Sequence, residues 1–96
     1  METTEEKVDA VTAKLQREFP KARILYEHDF DSGDHKFRID DPRPRCWLHL
    51  AAECVADHDA IVLVNFLNIY NVIKSFQDST GKCRLRLTGQ PLLERL

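Results

Sequence analysis

Residues 60–76 read AIVLVNFLNIYNVIKSF, and no charged side chain occurs between Asp59 and Lys74. A stretch with so little charge is buried on most of its sides, so the rest of a small chain has to be arranged around it. At 100° per residue, Val62, Phe66, Ile69, Ile73 and Phe76 fall on one stripe, which predicts a single long helix over 57–78 with that stripe toward the core. Asp57 or Asp59 can cap its start, and Gly81 follows its end. No apolar run reaches the roughly 18 residues needed to span a bilayer, so no membrane association is expected.

The chain before this helix supplies the elements that bury it. Thr3 and Glu6 have capping-box spacing, and Val8, Val11, Leu15 and Phe19 recur at helical intervals. Pro20 disfavours helix at Phe19, so the first helix lies within 1–20. In RILYEHDF, Ile24, Tyr26, His28 and Phe30 share one face of a strand. In HKFRID, Phe37 and Ile39 alternate with Lys36, Arg38 and Asp40. DSGD stands where these two strands reverse. Asp29 and Asp31 resemble the start of a calcium loop, but Gly33 comes one position early and no glutamate follows, so a hairpin turn is expected. After the proline-broken DDPRPR, Cys46, Leu48 and Leu50 alternate with Trp47 and His49 as a third strand, with a short helical turn over 52–56. One helix over 45–55 is the competing assignment. In KCRLRLT, Cys83, Leu85 and Leu87 point inward, and Lys82, Arg84 and Arg86 outward.

The expected fold is therefore a single α+β domain over 1–96, with the order α-β-β-β-α-β. A meander over 21–51, a helical crossover over 57–78 and a final strand over 82–88 make a four-stranded, mainly antiparallel sheet with two helices on one face. Residues 89–96 form a tail. The fourth strand can lie beside the third or beside the first, giving 1-2-3-4 or 4-1-2-3.

Composition and motifs narrow the function. A net charge of -2 argues against wrapping nucleic acid by bulk electrostatics. METTEEKVDA lacks the basic and apolar regions of a signal peptide, and Cys46, Cys54 and Cys83 are odd in number with no CxxC. A cytoplasmic protein with reduced, packed thiols is the expectation. Cys46, His49, Cys54 and His58 have zinc-like spacing, but on a strand Cys46 and His49 point to opposite faces, so no metal is expected. Cys54 and His58 could form a dyad at i and i+4 of a helix, without a third group. Ser32, Ser75 and Ser79 lack a nucleophile-elbow pattern, and no Gly-rich phosphate loop occurs. No catalytic residue and no cofactor follows from the sequence.

Two surfaces remain. Lys36, Arg38, Trp47, His49, Lys82, Arg84 and Arg86 share the outward parity of the sheet, with Glu27, Asp29, Asp40 and Glu53 as potential ion-pair partners. Arg38, Trp47, His49, Arg84 and Arg86 are the candidates there for a weak single-stranded RNA or nucleotide site, although one aromatic is fewer than RNA-binding sheets use. The back of the long helix carries Ile61, Val64, Leu67 and Val72 interleaved with Asn65, Asn68 and Asn71. Ile61, Val64, Asn65, Asn68 and Val72 are the candidates for contact with a second copy or another protein. The competing arrangement covers this side with the first helix and the PLLERL tail. A non-catalytic, homodimeric interaction domain is the leading expectation, ahead of the nucleic-acid reading.

Overall fold

The N-terminal pattern folds as its spacing predicts. In the computed structural model, which describes residues 2–79, 81–89 and 93–96, helix α1 runs Thr4–Glu18. The Thr3 side chain accepts the Glu6 amide at 3.1 Å, satisfying one of the amides that a helix start leaves without an intrahelical partner. Val8, Val11, Leu15 and Phe19 are all buried.

Strands β1 (Arg23–His28), β2 (His35–Asp40) and β3 (Pro44–Leu50) form the expected antiparallel meander. The opening hairpin is built by DFDSGDH. Gly33 takes φ +81°, where a side chain would be strained, and its amide bonds the Asp29 carbonyl at 2.7 Å. The Asp29 carboxylate accepts the Asp31 amide at 2.9 Å, and Ser32 Oγ accepts the Asp34 amide at 3.2 Å. Side chains that could have ligated a cation are holding the turn together instead. Residues 44–50 are strand, and the helical assignment is confined to α2 (Ala52–Asp57).

The long helix is two helices. Helix α3 runs Ala60–Ile69 and α4 runs Val72–Asp78. Between them Asn71 sits in the left-handed region at φ 57°, ψ 32°, a conformation asparagine tolerates better than most residues. The Asn71 amide turns back to the Asn68 carbonyl at 3.1 Å, and the Asn71 carbonyl accepts Ser75 as α4 starts. The break resets the helical phase, and the predicted core stripe fails in α3 for that reason. Ala60, Leu63 and Leu67 are buried there, whereas Val62 and Phe66 are half-buried and Ile69 is 65% exposed. In α4 the stripe holds, with Ile73 and Phe76 buried, but Val72 joins them as a fully buried residue.

The sheet also differs from the expected one. It has five strands in the order β1-β2-β3-β4-β5 and is mixed. Strand β4 (Cys83–Leu87) lies beside β3 and parallel to it. The helices leave the end of β3 and return along one face, so the chain starts β4 at the end where β3 started. The expected tail contributes β5 (Leu93–Arg95), antiparallel to β4. Phe37, Ile39, Cys46, Leu48, Leu50, Cys83, Leu85 and Leu87 face the helices in one buried cluster with α1, α3 and α4. The class is α+β, and among the described residues the opposite sheet face has no helical cover.

Candidate functional site

The uncovered sheet face is organised in rows, because strand register places every second residue beside its neighbours. One row runs Leu25, Arg38, Trp47, Arg84, and the next runs Glu27, Lys36, His49, Arg86, Glu94. The five candidates Arg38, Trp47, His49, Arg84 and Arg86 therefore do come together. Four of them, Arg38, Trp47, His49 and Arg84, border a shallow depression of ≈ 360 Å³ that Leu25, Tyr26, Glu27 and Lys36 also line, and Arg86 lies beside His49 in the next row. The Arg84 guanidinium lies 4.6 Å from the centre of the Trp47 ring, an attractive placement on the negative face of the indole.

Most of the positive charge here is already neutralised. Lys36 bonds Asp29 at 2.9 Å, and this bond, with the Asp31 amide, lowers the Asp29 carboxyl to about 2. Arg38 grips both oxygens of Asp40 at 2.9 and 3.1 Å. Arg86 does the same to the buried Asp34 at 2.9 and 3.2 Å, and reaches Glu94 at 3.5 Å. Burial lowers the His49 imidazole, and the adjacent Lys36 charge lowers it further, so His49 is neutral at pH 7 and adds no charge. Among the described residues, Arg84 makes no ion pair. A polyanion crossing this face would have to displace carboxylates at three of its four principal cations.

The outer face of α3 is different in kind. Ile61 is 74% exposed and Ile69 65%, with Asn65 and Asn68 exposed between them and Val64 half-buried beside them. Residues 61, 65, 68 and 69 follow helical spacing, so they form one solvent-facing stripe without a charge. Helix α1 packs against α3, and where they meet lies a small groove of ≈ 190 Å³ lined by Ala10, Ala60, Ile61, Val64 and Asn65. Val72 does not belong to this surface, since the break at Asn71 turns it into the core, and Leu67 faces the core with Leu63 on the opposite side of α3. Residues 93–95 pair with β4 and do not cover α3; residues 91 and 92 of the PLLERL stretch lie outside the described residues.

The zinc-like residues do not converge. Cys46 is buried on the helix side of β3, and His49 lies on the open side. His58 Nδ1 contacts the Cys54 carbonyl at 2.9 Å rather than its thiol, and burial pushes the Cys46 and Cys54 thiols up to about 11. Such thiols are poor nucleophiles at neutral pH.

One cluster was not singled out from sequence. His28 and His35 stack at 4.5 Å, Tyr26 Oη meets His35 Nδ1 at 2.6 Å, and Phe30, 89% exposed, tilts against His28. Its signal was the shared parity of Tyr26, His28 and Phe30. The chain matches no family model, no curated protein and no solved structure.

Proposed function

We propose that this chain is a non-catalytic, cytoplasmic interaction domain that self-associates through the outer face of α3. The supporting observation is the uncharged stripe Ile61, Asn65, Asn68, Ile69, exposed where a solvated helix ordinarily carries Lys and Glu. The occupant that fits is a second copy. A two-fold contact brings a surface against itself, so a charge in it is buried without a partner unless the opposite charge stands at the symmetry-related place. This face has none, and an asparagine amide both donates and accepts, so it is complementary to its own image. Covering an exposed isoleucine is worth roughly 1.5–3 kcal/mol, and each copy offers two.

Sedimentation equilibrium tests the proposal. The wild type is expected to sediment above the 11.2 kDa chain mass, and Asn68→Lys as a lighter particle than the wild type with an unchanged melting temperature. A wild type that stays monomeric at high micromolar concentration overturns it.

A second reading rests on Arg84, whose guanidinium covers Trp47 and makes no ion pair among the described residues. Together they offer one stacking platform for a base of single-stranded RNA. Micromolar binding of single-stranded RNA at physiological salt, weakened by both Trp47→Ala and Arg84→Glu, would establish that reading in place of the first.

A further inference from the structure

Strand β1 ends the sheet, so half of its backbone groups point away from β2. The turn shows which half. The Asp29 amide bonds the Asp34 carbonyl at 2.9 Å, and hydrogen-bonded pairs alternate along an antiparallel ladder. In the same phase stand Glu27 with Lys36, Leu25 with Arg38, and Arg23 with Asp40. Arg23, Leu25 and Glu27 thus direct their amides and carbonyls to β2, while Ile24 and Tyr26 direct theirs outward. Among the described residues nothing bonds the backbone of Ile24 or Tyr26 on that side.

Free edges are usually blunted by proline, a bulge, short length or repeated like charge. Strand β1 has six residues, no proline and an unbroken register. Its two exposed charges are Arg23 and Glu27, opposite in sign and four residues apart, and neither is ion-paired among the described residues. Glu27 does lie across from Lys36, but that ammonium is held by Asp29.

We propose that the β1 edge is a second, self-complementary contact, along which two copies pair antiparallel about a two-fold axis at Leu25. This register sets Arg23 of each copy against Glu27 of the other and Leu25 against Leu25 on the open face. Ile24 meets Tyr26 on the helix side, and these outward-directed residues exchange about four N–H···O bonds. The alternatives are poorer. Parallel in-register pairing sets Arg23 against Arg23, and sliding the antiparallel pair by two residues sets Leu25 against Glu27. The product is one continuous sheet with five strands from each copy. It is independent of α3, which lies in the helical layer.

The test begins from Asn68→Lys, which silences the α3 contact, so that sedimentation reads the edge alone. In that background Arg23→Glu or Glu27→Arg should each weaken dimerisation roughly tenfold or more, because both cross-edge pairs become like-charged. An equimolar mixture of the two variants should recover it, since one chain then presents two acids and the other two bases. Leu25→Cys should cross-link into dimers on mild oxidation, with the three native cysteines buried and out of reach. A mixture no heavier than its components, or a Leu25→Cys chain that stays uncross-linked, overturns the edge contact and leaves the α3 proposal standing. Recovery in the mixture, with wild type and Asn68→Lys equally dimeric, upholds the edge and removes α3.

Discussion

His35 is buried although it is ionisable. Burial, followed by the stacked His28, lowers its imidazole from the ordinary 6.5, with Asp34 pulling weakly the other way. His49 is lowered from the same value. Below pH 6.5 the unfolded chain therefore binds more protons than the folded one, and stability rises with pH through that window. Stability is expected to be full above pH 6.5 and to fall progressively below it, with His35→Gln flattening part of the dependence in urea midpoints between pH 7.5 and 5. Asp29 acts in a separate, lower window. Its contribution is present above the ordinary 3.8 and is lost as pH falls through about 2. The thiols give another residue-level prediction. All three cysteines are buried, and a disulfide-exchange reagent should label none rapidly in the native protein and all three in denaturant. Rapid native labelling would mean that the core around β3 and β4 opens easily.

Among the elements, the break between α3 and α4 decides what the most apolar segment does. It hinges on Asn71 in a left-handed conformation. Asn71→Gly removes the Cβ conflict and should be neutral or slightly stabilising, whereas Asn71→Val should cost about 1–2 kcal/mol. Chemical denaturation distinguishes the two. If valine were tolerated, the segment would prefer to run on as one helix, and the surface assigned to α3 would have to be redrawn. The sequence did carry a trace of this break, an asparagine where a helix could end. Yet 3.6-residue periodicity continued through it with apolar residues on all sides, so the pattern alone favoured continuity.

Across the whole molecule, the exposed and buried sides of α3 make opposite predictions. Ile61→Lys changes an exposed side chain, so stability should move by no more than about 0.5 kcal/mol while association through α3 is lost. Leu67→Ala, one turn and a half away on the core side, should cost about 2–5 kcal/mol and leave association intact in the folded fraction. Thermal melts paired with light scattering separate these outcomes. Loss of stability in both variants with no change in mass would show α3 to be covered within the chain. The ion pairs across the open sheet face should add little to stability, since most are partly exposed and screened by salt. Asp34 with Arg86 is the exception, because removing Arg86 strands a buried carboxylate.

The sequence by itself determined the meander, its inward and outward residues and the turn at Gly33. Period-two alternation and turn chemistry are local, and each strand kept its parity once formed. For the same reason Arg38, Trp47, His49, Arg84 and Arg86 could be assigned to one face before any strand was paired. The competing strand orders, the fifth strand and the parallel partnership of β3 and β4 required the tertiary structure, because they depend on where helices deliver the chain rather than on any residue's own preference. The fate of Val72 was settled there too. Helical phase accumulates at 100° per residue, so one left-handed residue at position 71 was enough to carry Val72 from a supposed surface into the core, and to leave Ile69 at the surface it had been expected to avoid.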